Sequence, residues 1–456
     1  MFHRLVGLFE DYRRRMPDRS EPYFMLALAL AAQSDGELAR IAYAHGLNRL
    51  EEDDPYLKAG LMFAGETPYA GDIGLEALAG VWAPHDPLML TPSNERLMEH
   101  YQRVAYANLR FSEDPEMQDG WLRDRGNVYI RYGAPDERFI ATSSTEPDQL
   151  WSYADFSVSF FKRRTGPWAY RGGLIGRRES RQITDLIEAF PPISKVSQRW
   201  TRFPVSCRIA QFRGEGKRTR VDFHVSARDT RFVSTKGPRG ARRVDVDHGV
   251  FAMNLNWELI EKSEARLDRM AWLKGDREGG YFVRSDFLSL LPGPYQVRVE
   301  SLDLSSRRLG VFHDTIDVRS FARGDLTLSD IVINRRSAKR PGGEGRAGII
   351  FLPAPDASGV RGKRLEAYAE VYNLDIIESR SETAFTVQFE VRSAEDRDGW
   401  VVVSTKTKQG VASWEPLVLT LDLTKTAPGA KVLRLRLTDH ARSETIVTTT
   451  DFRVTW

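Results

Sequence analysis

The apolar residues of this 456-residue chain change their period once. Through roughly the first hundred residues they recur at helical spacing, and from about Arg202 onward they alternate with polar residues. A chain patterned this way builds helices first and antiparallel sheet afterwards, and its length exceeds what one hydrophobic core serves, so several domains are required. Pro22 opens the run YFMLALALAA after Ser20 and Glu21, at the start of a helix where a missing N–H is tolerated. After Gly36, ELARIAYAHGLNRL puts Leu38, Ile41, Ala42 and Leu50 on one face, while Ala42, Ala44 and Gly46 are small enough for close helix approach. The pair is expected as a tetratricopeptide-like helical hairpin, without a clean repeat of about 34 residues. Further on, Thr91 or Ser93 is the expected N-cap, with Pro92 and Glu95 behind it, of a helix carrying Leu97, Tyr101, Val104, Ala105 and Leu109 on one face.

In the alternating half, FPVSCRIAQF, RTRVDFHVSA, GVFAMNLNWELI and YQVRVESLDL form one set of strands. A second set is RLEAYAEVYNL, TAFTVQFEVRSA, WVVVSTKTKQ, PLVLTLDL and KVLRLRLTDH. Punctuated by Gly, Pro and Asp, each set is the pattern of an Ig-like antiparallel β-sandwich. The sets repeat one another. Pro292-Gly293 is followed by Asp303 and Val318, and Pro428-Gly429 by Asp439 and Val454, at the same two offsets. Between them SAKRPGGEGRAG has no period and reads as a linker. The lone cysteine, Cys207, permits no internal disulfide and sits in an alternating run, as a buried structural thiol does.

Between the helices and the strands lies GWLRDRGNVYIRYGAPDE, Gly120 to Glu137. Asn127 to Tyr132 alternates as a half-buried strand, with Val128, Ile130 and Tyr132 on one face, Gly126 and Gly133 at its ends and Pro135 in the turn that follows. LWSYADFSVSFF supplies a partner strand. The stretch resembles the GWxTD domain, a bacterial family named for its Gly-Trp-x-Thr-Asp motif, which continues into a DRG-x-(V/I)-YIRYG-x-PDE pattern. The matching residues are Gly120, Trp121, Asp124, Arg125, Gly126, Tyr129, Ile130, Arg131, Tyr132, Gly133, Pro135, Asp136 and Glu137. Arg123 stands in the place of the family threonine. The resemblance extends upstream to the helix before the motif and downstream to LTLSDIVI and LEAYAEVYNL. It implies an exported or envelope-associated bacterial protein and no established reaction.

Asp124, Asp136 and Glu137 are the candidate acids of a hydrolase, with Trp121 and Tyr132 as a sugar platform, because two carboxylates in unlike surroundings can divide acid and base roles. A folding role is simpler. Asp124 can accept backbone N–H groups in the turn before Gly126, Arg131 can pair with a carboxylate across a hairpin, and Trp121 can anchor the unit. Asp136 and Glu137, after a proline, suit a turn or helix cap. No metal or other cofactor is expected: the eight histidines never fall at i, i+3 or i, i+4, and Asp245 and Asp247 lack the further acids of a calcium loop. Neither a G-x-S-x-G elbow nor a Walker loop is present.

Charge is unevenly spread on a chain of net charge +3: residues 1–116 hold 11 basic and 19 acidic residues, residues 156–244 hold 21 and 6. The basic segment suits an acidic partner or surface, and without a recognised binding motif beside it nucleic acid is not the expected partner. Trp151, Tyr153, Phe156, Phe160, Phe161, Trp168 and Tyr170, beside Lys162, Arg163 and Arg164, are the candidate contact surface, with alternate members in the core. No membrane span is expected, and the first residues read as a helix rather than a signal peptide. The expected protein is multidomain α+β: a helical domain over 1–112, a mixed GWxTD unit over 113–200, β-sandwiches over 201–322 and 348–456, and a linker over 323–347. Its expected role is non-enzymatic, in protein interaction or cell-envelope assembly; the alternative is a hydrolase, acting on carbohydrate through Asp124, Asp136 or Glu137.

Overall fold

A computed structural model of the protein describes residues 2–33, 36–63, 74–113, 119–142, 147–154, 156–162, 166–170, 200–228, 232–236, 241–274, 280–321, 324–339, 349–354, 357–377 and 382–455. The chain forms two compact units, residues 1–200 and 201–456.

In the first unit helices α1 (Phe2–Arg15), α2 (Glu21–Ala32), α3 (Gly36–Leu47), α4 (Pro55–Phe63), α5 (Leu75–Trp82), α6 (Glu95–Phe111) and α7 (Asp124–Tyr132) precede a sheet. The sheet is antiparallel, with β1 (Glu137–Thr142), β2 (Pro147–Ser152), β3 (Ser157–Lys162) and β4 (Trp168–Tyr170) in chain order. A single hydrophobic core runs from Phe9 through Phe24, Tyr56 and Tyr101 to Trp151 and Phe160. The helices and the sheet therefore share one core rather than dividing near residue 112. Helix α2 is apolar on nearly every side, and so it is buried at the centre. Phe24 of α2 stacks on Tyr56 and Tyr101 with centroids 4.7 Å away in each case.

Three local expectations need correction. Helix α3 turns Ala39, Ala42, Tyr43 and Gly46 inward and leaves Leu38 and Ile41 exposed. The small residues win that face because the Phe24 ring lies only 2.9 Å from where a Gly46 Cβ would stand. The N-cap of α6 is Asn94, whose Oδ1 accepts the Leu97 N–H at 2.9 Å, and Leu109 faces solvent while Leu97, Tyr101, Val104 and Ala105 are buried. Asn127 to Tyr132 is not a strand but most of helix α7. A six-residue alternation cannot separate the two, since Val128 and Tyr132 are also i, i+4 neighbours on a helix.

The second unit opens with β5 (Thr201–Phe203), β6 (Ser206–Arg213), β7 (Thr219–Arg228), β8 (Thr235–Lys236), β9 (Ala241–Met253), β10 (Leu259–Lys274), β11 (Gly280–Leu290), β12 (Gly293–Asp303) and β13 (Arg308–Val318). All belong to one sheet, ordered β5-β13-β12-β9-β10-β11-β7-β6 with β8 on β9. The long β10 pairs with β9 and, through Ala271 to Lys274, with β11, so it joins two halves whose Val221, Val250, Leu288 and Val297 meet in one core. The expected strand GVFAMNLNWELI is the end of β9 and the start of β10, joined by a turn in which Trp257 takes φ 64°.

Ten strands follow: β14 (Thr327–Leu328), β15 (Val332–Lys339), β16 (Ile349–Pro353), β17 (Ser358–Val360), β18 (Arg364–Tyr372), β19 (Thr383–Ser393), β20 (Val401–Gly410), β21 (Trp414–Asp422), β22 (Gly429–Asp439) and β23 (Glu444–Thr455). They make two sheets, β14-β18-β15-β16 with β21 on β18, and β17-β23-β22-β19-β20. Leu365, Leu419 and Ile333 of one meet Phe385, Leu435 and Phe452 of the other in a shared core. The expected linker is thus partly sheet: β14 and β15 lie within 323–347, anchored by buried Ile331, Val332 and Ile333, and 340–348 fall outside the described residues.

The repeat seen in the sequence holds residue by residue. Gly293 pairs with Val318 and Gly429 with Val454; Asp303 pairs with Arg308 and Asp439 with Glu444; β5 runs parallel to β13 as β17 does to β23. Both hairpin turns contain one left-handed non-glycine residue at the same place, Arg307 (φ 53°) and Ser443 (φ 54°). The two aspartates are fully buried and work alike. Asp303 accepts the Ser305 N–H and, from a separate loop, the Val233 N–H; Asp439 accepts the Ala441 N–H and, from a separate loop, the Asp375 N–H. Asp303→Ala and Asp439→Ala should each cost about 2 to 4 kcal/mol, since each removes a buried carboxylate that accepts two backbone N–H groups; urea denaturation of the full chain measures it.

Candidate functional site

The motif segment is packed backbone to backbone. A Cβ on Gly120 would lie 2.1 Å from the Ala107 carbonyl oxygen of α6, and one on Gly126 would lie 1.8 Å from the Gly120 oxygen. Only glycine fits at either place. The turn Gly120–Leu122 is then tied to α6 from both sides: the Gly120 N–H donates to Ser112 Oγ at 2.9 Å and the Trp121 N–H to Asn108 Oδ1 at 3.0 Å. Trp121 itself is buried in the core. Arg123, in the place of threonine, pairs with Asp119 four residues earlier and so braces the turn from outside.

Helix α7 ends at Gly133, which takes φ 76°. Its terminal carbonyls, which no helix can satisfy internally, are met by the guanidinium of Arg103 from α6. Arg103 donates to the Ile130 oxygen at 2.9 Å, to the Arg131 oxygen at 3.1 Å and to Glu99 Oε1 at 2.7 Å. The Tyr153 hydroxyl donates to the Gly133 oxygen at 3.1 Å. Arg96 approaches the other Glu99 oxygen at 3.7 Å, and all three side chains are nearly inaccessible. Burial, reinforced by Arg103, lowers Arg96 to about 10, and burial with these same arginines holds the enclosed His100 well below the usual histidine range.

The remaining motif residues pack rather than converge. Arg125 lies over the rings of Phe111 (5.0 Å) and Trp168 (4.8 Å), and burial lowers it to about 10. Tyr129 stacks on Tyr106 at 4.3 Å, Tyr132 meets Phe156 edge-on at 4.7 Å, and Arg131 donates to Asn127 and covers the Phe63 ring at 4.4 Å. With 127–132 helical, there is no hairpin for Arg131 to pair across. Asp124 opens α7, and its Oδ2 accepts the Tyr170 N–H of β4 at 2.7 Å, a different backbone donor from the turn expected. Asp136 and Glu137 are exposed beyond the other end of α7, where the Asp136 N–H donates to the Ser152 oxygen and Glu137 begins β1. Since β4 and β1 are opposite edges of the sheet, three strand spacings, about 14 Å, separate Asp124 from the other two acids. Paired glycosidase carboxylates stand about 5 to 9.5 Å apart.

Residues 89–164 match the family model of the GWxTD domain. The chain contains a GWxTD domain. The match begins before α6, so in this protein the GWxTD domain is the helix, the motif and most of the sheet together. No curated protein matches the chain. Among solved structures it is similar to the fibronectin(III)-like modules of Clostridium thermocellum CbhA, at 11% identity over 56% of this chain and 88% of that one, with a TM-score of 0.15.

Of the expected contact surface, Trp151, Tyr153 and Phe160 are core residues of the GWxTD domain, and Phe156, Trp168 and Tyr170 pack partly buried against them. Phe161 is half-buried and Lys162 exposed; Arg163 and Arg164, like residues 171–199 of the basic segment, lie outside the described residues. Asp245 is paired with Arg266, and among the described residues no group of three or more His, Cys, Asp or Glu could hold a metal ion.

Two polar constellations were not legible beforehand. One is Arg103 with Glu99; their i, i+4 spacing is visible, but burial is not. The other crosses the core of the nine-stranded sheet. His248 Nε2 lies 3.1 Å from Asp286 Oδ2 and Nδ1 2.8 Å from Ser301 Oγ, all three buried, and Arg284 donates to both Asp286 oxygens. A carboxylate only accepts, so Nε2 carries the proton towards it. Burial alone would raise Asp286, but the bonds from His248 and Arg284 outweigh it and hold it below the usual range. A depressed folded pKa stabilises above the unfolded value, near 4, and that stability is lost as pH falls through the folded value. The stability gap between wild type and Asp286→Asn should therefore be full above about pH 5 and shrink below about pH 4, as denaturant titrations at each pH will show.

Proposed function

We propose that this protein is a non-enzymatic, multidomain interaction protein, acting in protein assembly or at the cell envelope through its helical hairpins and its Ig-like β-sandwiches. The carrying observation is how the GWxTD motif uses its polar groups. Trp121, Gly120 and Asp124 bond to or through backbone, Arg103 caps α7, and the three candidate acids stand on opposite edges of one sheet. Asp124 is engaged by backbone and lies away from Asp136 and Glu137, which speaks against the three candidate acids flanking a common bond. The tetratricopeptide-like hairpins and the sandwiches offer extended faces that need no internal chemistry.

The test combines two measurements. Affinity purification of the full chain from its native cells, with mass spectrometry, should recover a stoichiometric partner that is retained equally by Asp124→Asn and Asp136→Asn. Turnover of a glycoside that Asp136→Asn abolishes while leaving the fold intact would establish the hydrolase instead.

A further inference from the structure

Strand β6 is the last strand of the nine-stranded sheet, so one of its edges has no strand beside it. Part of that edge is covered by the following β-body. The Gln211 N–H donates to Asp330 Oδ2 at 2.8 Å, the Gln211 oxygen accepts the Asp330 N–H at 3.2 Å, and the Arg213 N–H donates to the Tyr372 hydroxyl at 3.1 Å. Ala210, Phe212, Val332 and Tyr368 close a small core underneath. Backbone groups of alternate residues in a strand point to the same edge. Ile209 and Cys207 therefore present their N–H and C=O groups beside those of Gln211, and among the described residues nothing pairs with them.

At this point β6 and β15 part and leave a cleft of about 250 Å³. Beside Ile209, Ile331 and Ile333, its lining carries the polar His224, Thr449 and Thr450. Arg208 stands exposed at the cleft, and no carboxylate among the described residues is within ion-pair distance of it. The nearby Asp330 is already engaged by Arg319 at 2.6 Å and by Gln211, so the cleft carries an unbalanced positive charge. An open strand edge and a free guanidinium beside it are elements by which a sheet captures an extended peptide: main-chain bonds give affinity and the charge gives selectivity.

We propose that this cleft docks an extended, acidic segment of a partner protein, which adds to β6 as a further strand and sets a carboxylate against Arg208. The proposal rests on the interaction reading above for the partner being a protein.

The probe is a fluorescein-labelled seven-residue peptide alternating valine with aspartate, titrated with the full chain and followed by polarisation. Saturable binding is expected, weakened about tenfold or more by Arg208→Glu, a surface change that should leave the melting curve in place, and abolished when alternate peptide amides are N-methylated. A peptide with lysine for aspartate should not bind. No saturable binding, equal binding to Arg208→Glu, or equal binding of the N-methylated peptide each overturns the proposal. So does a concentration-dependent dimer, seen by sedimentation, that Arg208→Glu dissolves, because a second copy would then own the cleft. If the peptide fails while a partner is still captured from native cells, the cleft is wrong and the interaction role stands. Peptide binding without any captured partner keeps the cleft and removes the assembly role.

Discussion

Gly126→Ala should nearly unfold the first unit. The added methyl would stand 1.8 Å from the Gly120 carbonyl oxygen, and that oxygen cannot withdraw, because Gly120 is itself pressed against the Ala107 carbonyl of α6. Relief requires moving α7 away from α6, which breaks the Trp121 bond to Asn108 and withdraws the α7 carbonyls from Arg103. Overpacking in a rigid core costs about 1 to 3 kcal/mol and more where backbone must move, against a total stability of about 5 to 15. Gly7 is the control. Nothing lies within 4 Å of its would-be Cβ, so Gly7→Ala should stabilise α1 by up to about 1 kcal/mol. Among the described residues every α-helix belongs to the first unit, so circular dichroism at a helix wavelength follows that unit within the full chain. A Gly126→Ala protein that melts with wild type would disprove the close contact.

The contrast between the two glycines shows which part of this fold the sequence carries. Composition and period locate the helices, the two strand sets and the repeat, because those depend on spacing along the chain, and Asp303 and Asp439 occupy matching turns as their offsets require. Spacing says nothing of what lies across from a residue. Gly126 reads as punctuation for a strand, whereas it marks where α7 meets the Gly120 carbonyl too closely for a side chain. Leu38 and Ile41 read as core by hydrophobicity, but Phe24 fills the space that only Ala42 and Gly46 leave open. The 323–347 segment reads as a linker on the strength of its Gly and Lys residues, although Ile331 to Ile333 hold a buried strand beside them. In the motif, the candidate acids are close in sequence, and one helix length is enough to send them to opposite edges of a sheet.

The second large effect is expected at Arg103, where one buried guanidinium joins α6 to the end of α7. Arg103→Met removes two bonds to the terminal carbonyls of α7 and the 2.7 Å bond to Glu99. Removing one member of a buried ion pair costs about 3 to 5 kcal/mol, much of it the penalty on the charge left behind. Here Arg96 still approaches Glu99, at 3.7 Å, so the carboxylate retains a partner and the loss falls mainly on the orphaned carbonyls. Lysine should rescue only in part: a single ammonium can reach Glu99 or the helix end, but it lacks the planar fork that serves both. Glu99→Gln has the opposite consequence, since it leaves Arg96 and Arg103 facing each other without their shared anion. The double substitution Arg103→Met with Glu99→Gln should therefore cost less than the sum of the single ones by at least about 1 kcal/mol. Simple additivity in urea denaturation would mean that the ion pair contributes little and that Arg103 acts as a helix cap alone. A coupling of the expected size would mean that the GWxTD domain of this protein is held together by buried charge as well as by the glycines of its motif.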